Sequence, residues 1–244
     1  MLPSGFYALA DHFAIDLPGA RVVFTTRRGG HSRGPYESLN LGVRTDDDPE
    51  AVAANRATLQ AHLDAPPLRF VDQVHGAEVL RITDAATAPE ALPQVDGQAT
   101  AAPGIAAAAL VADCLPIAIA GDGAVAMLHG GWRGLAAGII AEGVRALREL
   151  GAAGTLTAAV GPGAGGCCYE AGPEVHGAFA DVPGARRGRN VDLKAVARHR
   201  LEQASVRQVE DIGICTICAD PGLLYSHRRD KGITGRQAGV AWLT

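Results

Sequence analysis

Short apolar runs recur along this chain, at residues 21–26, 78–83, 107–112, 116–120, 124–129, 156–160 and 211–215. Each has the length of a β-strand and falls far short of a long helix. Three other stretches carry helix signals. One runs from Pro49 to about Leu63, with Asp48 as a natural N-cap and proline in the first turn. A second follows Gly134 and carries Leu135, Ile139, Ile140, Val144, Leu147 and Leu150 at helical spacing. The third starts at Asp192, with Leu193, Val196, Ala197 and Leu201 behind it. Strands therefore come in runs with helices scattered between them, which predicts an α+β fold with mixed or antiparallel sheets. A shorter helix is expected at residues 174–180, and loops at residues 85–93 and 181–189, where Pro, Gly and Ala or Arg cluster.

The chain has 244 residues, 48% of them hydrophobic, enough for its own core, and no Ser/Gly or charged linker divides it. One domain spanning residues 1–244 is the reading, with residues 1–20 as an N-terminal extension. The longest stretch of small apolar residues, 104–112, is far below the ~18–20 a membrane helix needs. No basic residue precedes Arg21, and Asp11 and Asp16 interrupt the start, so it does not read as a signal peptide. A formal charge of −4 supplies no global basic field. Neither nucleic acid nor a membrane is expected as a partner. Five cysteines make no disulfide framework and fit a reducing, cytoplasmic setting.

Three separated segments carry the chemistry: Gln73-Val74-His75-Gly76, Asp113-Cys114-Leu115-Pro116 and His129-Gly130-Gly131-Trp132-Arg133-Gly134. Each potential ligand sits at a predicted strand end, where a sheet can hold it rigidly. Two imidazoles and a thiolate suit zinc, and three protein ligands leave a fourth position open. The wide gaps between them match no zinc finger, so a core-packed Cys114 with two hydrogen-bonded histidines stays an alternative. The glycines favour a ligand site: His129 runs through Gly130, Gly131 and Gly134 into a helix, whose N-terminus with Arg133 would suit an anion.

These segments resemble the YfiH family, also called the peptidoglycan editing factor, polyphenol oxidoreductase or laccase-domain family. So do Thr26-Arg27-Arg28-Gly29-Gly30-His31-Ser32, Ser38-Leu39-Asn40-Leu41-Gly42, Gly161-Pro162 through Cys168-Tyr169-Glu170, Ser226-His227-Arg228-Arg229-Asp230 and Thr234-Gly235-Arg236. The matches run in order from about residue 21 to the C-terminus. The resemblance implies one α+β domain with mixed sheets layered between helices, and His75, Cys114 and His129 as zinc ligands. It further implies phosphorolysis of adenosine, inosine and S-methyl-5′-thioadenosine, adenosine deamination, and a link to peptidoglycan precursor synthesis. The expected partners are thus a purine nucleoside and phosphate. Arg56, Arg133 or Arg27 would hold phosphate, while Asn40, Gln73 or Asp113 would orient substrate or ligands.

Copper could occupy the same donors, since it outcompetes zinc at most nitrogen and sulfur sites. Multicopper oxidation, however, needs several imidazole-rich sites, and the eight histidines include no His-x-His pair. A rival enzyme reading dispenses with metal and makes Cys114 a nucleophile with His75 or His129 as its base. A third makes zinc purely structural, which would ask for a fourth protein ligand. The remaining cysteines, Cys167-Cys168 and Cys215-Thr216-Ile217-Cys218, read as buried structural thiols, because neighbouring thiols seldom both point at one metal.

Overall fold

The computed structural model describes residues 2–84 and 91–244. Its strands form two six-stranded mixed sheets. In the first, Phe6–Leu9, His12–Leu17, Ala20–Phe24, Gln237–Leu243, Ala106–Val111 and Leu68–Arg69 lie side by side in that order. Only the last pair is parallel. In the second the order is Gln208–Asp211, Ala153–Val160, Leu115–Asp122, Ala124–Gly130, Gly97–Thr100 and Val79–Ile82. Here both outer pairs are parallel and the inner ones antiparallel.

The two-residue period of a strand sends alternate side chains to opposite faces. Ala107 and Ala109 of the first sheet meet Ala118, Ala120, Met127 and Ala159 of the second, building a core between the sheets. Ala106 and Ala108 face the other way, where Leu39, Leu41, Leu59 and Leu63 cover them. On the far side of the second sheet, Ile117, Ile119 and Leu128 pack against Ile139, Ile140, Leu147, Val196 and Leu201. The layers are therefore helix, sheet, sheet, helices: the α+β arrangement of mixed sheets between helices that the resemblance implies. Among the described residues, no helix is long and apolar enough to cross a membrane.

Local signals account for the helices. Pro49–Leu63 starts where Asp48 accepts from the Glu50 N–H, and Leu193–Gln203 where Asp192 accepts from Lys194 and Ala195. The segment after Gly134 is not one long helix. Trp132–Ala137 and Ile139–Glu149 are separated by Gly138 at φ 94°, a left-handed conformation that breaks the hydrogen-bond ladder. The short helix is Pro173–Ala178, and the expected loop beyond it contains a small hairpin of Arg186–Arg187 with Asn190–Val191.

Two expectations change. Within the expected extension at residues 1–20, Phe6–Leu9 and His12–Leu17 are strands of the first sheet, and Ile15 and Leu17 enter the inter-sheet core. The run at 211–215 is not a strand: pairing ends at Asp211 because Gly213 turns to φ 74°. The expected loop at 85–93 lies mostly outside the described residues.

Candidate metal centre and its cavity

Strand register assembles the site. Leu115–Asp122 begins immediately after Cys114 and pairs antiparallel with Ala124–Gly130, setting Leu115 opposite Gly130 and Pro116 opposite His129. That pairing delivers His129 beside Cys114. His75 arrives from the segment before Val79–Ile82, whose parallel partner Gly97–Thr100 follows Asp96. The backbone of Asp96 bridges the two, its N–H donating to the Glu78 carbonyl and its carbonyl accepting from the His129 N–H at 2.7 Å.

The outcome is a cluster in which the ligand atoms of His75, Cys114 and His129 all lie within 4.8 Å of one another. Cys114 Sγ is 4.0 Å from His75 Nε2, and the two imidazole rings meet edge to face with centroids 4.8 Å apart. His129 is buried, Cys114 partly so, and His75 exposed, so the cluster opens on the His75 side. Gly131 makes this closeness attainable: a Cβ there would sit 3.1 Å from His75 Cδ2 and 3.2 Å from Cys114 Sγ.

Asp96 holds the cluster from behind. Its buried carboxylate accepts from His129 Nδ1 at 2.8 Å and from the N–H groups of Val74, His75 and Gly76. A carboxylate only accepts, so the Nδ1 of His129 carries the proton and Nε2 is left for a ligand. Burial would raise the Asp96 carboxyl, but His129 and the Gly76 and His75 N–H groups hold it below the usual range. The same bonds fix His75 at φ 62°, a conformation costing of order 1–3 kcal/mol that persists only where surroundings enforce it.

The donors are also electrically matched. Burial alone would push the Cys114 thiol up, yet the charge of His129 and hydrogen bonds from both imidazoles bring it down to about 6. For His129, burial works against the proton, while Cys114 and Asp96 overcome it and raise the imidazole to about 9. A thiolate facing two imidazoles is the donor set that a soft divalent ion takes, and the residues fit zinc on that ground.

The cluster lies in the wall of a cavity of about 420 Å³. Arg56 and Arg236 also line it, and both are half-buried. Arg56 stacks on Phe70, 3.9 Å from the ring centroid, and donates from Nε and one terminal nitrogen to the Leu41 carbonyl. Arg236 donates to the carbonyls of Thr234 and Gly235. Burial lowers the pKa of both guanidinium groups, for Arg236 against the opposing charges of Cys114 and Asp113. Neither has a carboxylate in ion-pair contact among the described residues, whereas Arg44 at the same cavity is paired to Asp72 at 2.6 Å. Two half-buried guanidinium groups at one cavity, without a directly paired carboxylate, suit an anionic ligand there.

Other sequence candidates fall in different places. Gln73 lines the cavity, but its amide is tied at both ends to the backbone of Leu110. Asp113 lines it too, with one carboxylate oxygen accepting from Thr216 Oγ1 at 2.6 Å and the other from the Arg228 N–H at 2.7 Å. It braces two loops and touches neither histidine's ring nitrogens by hydrogen bond. Arg133 is exposed, folded over the Trp132 ring, and does not line the cavity. The helix that follows Gly131 has six residues, and Gly131 itself packs close to His75 and Cys114. Arg27 belongs to a separate depression, bonded to the carbonyls of Glu37, Pro35 and Pro221 and stacked on Tyr225. Asn40 is fully buried, saturated by Thr45, Asp47, Gly42 and Arg236. Sequence reasoning missed Asp96 altogether, and it quoted His227, Tyr169 and Arg236 without giving them the cavity wall they form.

A layered α+β fold with a His/Cys/His cluster in a deep, arginine-lined cavity defines an enzyme of the YfiH type. Residues 21–244 match the family described as multi-copper polyphenol oxidoreductase laccase, and the chain belongs to that family. It is 39% identical over 236 residues to purine nucleoside phosphorylase SCO2081 of Streptomyces coelicolor, covering 92% of this chain and 96% of that protein. It is likewise 39% identical over 235 residues to purine nucleoside phosphorylase PA4543 of Pseudomonas aeruginosa, covering 91% and 93%. Among solved structures it resembles YlmD from Geobacillus stearothermophilus, with a TM-score of 0.88 at 33% identity over 99% of both chains. The Bacillus licheniformis protein YfiH gives 0.89 at 30% identity, over 99% of this chain and 100% of that one.

Proposed function

We propose that the protein is a zinc-dependent purine nucleoside phosphorylase acting on adenosine, inosine and S-methyl-5′-thioadenosine, with adenosine deamination as a second activity. The observation that carries the reading is the pair of half-buried guanidinium groups, Arg56 and Arg236, without an ion-paired carboxylate among the described residues, in the same cavity as the His/Cys/His cluster. Relatives named purine nucleoside phosphorylase, at 39% identity over nearly the whole chain, support it independently.

His75, Cys114 and His129 would hold the zinc, which when bound supplies Lewis-acid polarisation and an activated water. Arg56 and Arg236 bind phosphate and spread its charge, aligning one oxygen with C1′ of the ribose. That oxygen forms a bond to C1′ as the bond from C1′ to the purine nitrogen breaks, and the departing purine keeps the electron pair and takes up a proton. Tyr169 faces the same space, and burial, with the charges of Cys114 and Asp113, raises its phenol pKa. It therefore stays protonated and can donate its O–H to the departing base. Val43 and Leu92, both exposed at the rim, offer an apolar surface to the purine ring. Asp113 acts by position, holding the Arg228 backbone and Thr216 so that the Tyr169 side of the cavity keeps its shape.

Incubating the purified protein with adenosine, with and without phosphate, and separating the products tests this. Adenine and ribose 1-phosphate appearing only with phosphate is the expected result. Inosine alone would leave deamination as the sole activity and overturn the phosphorylase assignment.

One observation favours a second reading. The thiolate of Cys114 beside a protonated His129 is also the resting state of a cysteine hydrolase. Stoichiometric acylation of Cys114 by an electrophilic acyl reagent, in protein purified without metal, would favour that alternative. Zinc bound one to one at this cluster, lost with activity on Cys114→Ser, would exclude it.

A further inference from the structure

Four cysteines converge in a second cluster, one of them next in sequence to Thr216, which supports Asp113. Cys167 and Cys168 sit in the turn where the Cys168 and Tyr169 N–H groups donate to the Gly165 carbonyl. Cys215 and Cys218 sit in a second turn, closed by the Ala219 N–H on the Cys215 carbonyl. A bridge between Gly163 and Cys215 sets the two turns face to face. All four Sγ atoms lie within 4.8 Å of one another, Cys167 and Cys218 being 3.7 Å apart. The expectation of buried structural thiols is corrected in its burial: Cys167 and Cys218 are exposed, all four are free, and the neighbouring pair shares one cluster with Cys215 and Cys218.

The spacing chooses among occupants. Four sulfurs tetrahedrally disposed at the zinc–sulfur distance of about 2.3 Å stand about 3.8 Å apart. A cage of several irons would spread the same sulfurs more widely than these are. The backbone agrees. The Gly165 N–H donates to Cys215 Sγ at 3.2 Å. A backbone amide on a sulfur stabilises a thiolate, the form that binds metal.

We propose that Cys167, Cys168, Cys215 and Cys218 form a second metal site, a closed four-thiolate site for one zinc ion. It is chemically distinct from the His75–Cys114–His129 cluster, whose three donors leave a position open. With four protein ligands and no vacancy it is structural. The ion pins the turn that ends at Tyr169 to the turn that carries Thr216, whose hydroxyl supports Asp113. The second site thus staples two loops behind one wall of the cavity. It does not depend on the phosphorylase reading.

The test is metal stoichiometry of the whole chain, purified under reducing conditions with zinc supplied, by elemental analysis and native mass spectrometry. Two zinc ions per chain are expected. Cys168→Ser and Cys218→Ser should each lose one equivalent and lower the thermal midpoint, while Cys114→Ser should lose the other equivalent and keep this one. Replacing zinc by cobalt gives a second readout: sulfur-to-metal charge-transfer absorption should persist strongly in Cys114→Ser and nearly vanish in Cys218→Ser. The proposal is overturned if Cys168→Ser and Cys218→Ser keep the full metal content of the parent. It is equally overturned if peptide mapping of the reduced-purified protein finds Cys167 joined to Cys218 in a disulfide with no zinc bound there.

Discussion

His129 Nδ1 donates to Asp96 Oδ1 across 2.8 Å, and the same carboxylate accepts from three consecutive backbone N–H groups beside His75. One buried side chain therefore sets both the tautomer of one donor and the backbone conformation of another. Asp96→Asn replaces an acceptor by an amide that must aim its NH2 at a ring N–H or a backbone N–H. Metal affinity at His75, Cys114 and His129 should fall by about 10–100-fold, the usual scale for losing such a partner. Titration against a chromophoric chelator measures it. An unchanged affinity would mean that Asp96 serves folding alone.

Arg56 and Arg236 make a separable prediction, since neither touches the metal donors by hydrogen bond. If they hold phosphate, Arg56→Ala and Arg236→Ala each remove a charge-assisted hydrogen bond of about 1.5–3 kcal/mol, so kcat/KM for phosphate should drop by about 10–150-fold. The rise in KM should be larger for phosphate than for the nucleoside. Arg133→Ala, exposed and outside the cavity, should leave both constants unchanged. A large phosphate defect in Arg133→Ala would return the anion site to the His129–Gly134 turn.

The donors were legible because strand ends declare themselves: His75, Cys114 and His129 each border an apolar run whose two-residue alternation survives in the sheet. The first helix was legible to the residue, since Asp48 and Pro49 are local signals that need no tertiary partner. Asp96 was not, because its role comes from the pairing of Gly97–Thr100 with Ala124–Gly130 on one side and Val79–Ile82 on the other, and a lone aspartate between Val95 and Gly97 looks like any turn residue. Gln237–Leu243 is central to its sheet yet was unread, as Gly239 interrupts its apolar pattern. Arg133 stands differently. Its neighbours in sequence include His129, one of the clustered donors, but its exposed side chain stacks over Trp132 and is not among the residues that line the cavity. The four-cysteine cluster needed the Gly163–Cys215 bridge, a contact between segments that no local pattern connects.

Gly131 tests how tightly the donors are packed. Its φ of −71° and ψ of 158° suit any residue, so Gly131→Ala introduces no backbone strain. The added methyl would meet His75 and Cys114 at distances tighter than ordinary van der Waals contact. The thermal midpoint should hardly move, while metal occupancy and turnover fall together. Full occupancy at wild-type turnover would show that His75, the exposed member, simply moves aside.

The thiolate–imidazolium pair fixes the pH dependence of metal binding. Cys114, at about 6 in the folded chain against an ordinary 9.0, contributes stability that is complete above the unfolded thiol's range and lost as pH falls through about 6. His129, at about 9 against 6.5, contributes stability that is complete below its unfolded value and lost as pH rises through about 9. Between those limits the folded pair holds one proton, on the imidazole. Above about 6.5 the unfolded pair also holds one, on the thiol, so the stability of the metal-free protein should be flat in pH there as far as this pair is concerned. Metal binding is not flat. A divalent ion needs the Nε2 lone pair of His129, so binding expels that proton, and affinity at this cluster should rise about tenfold per pH unit until about 9 and then level. Below about 6 a second proton, on Cys114, steepens the dependence. Chelator competition on the Cys218→Ser protein, which isolates this cluster, measures the slope. A constant affinity from pH about 6.5 to about 8.5 would mean that His129 is already neutral in the free protein and that Cys114 and His129 do not form the pair.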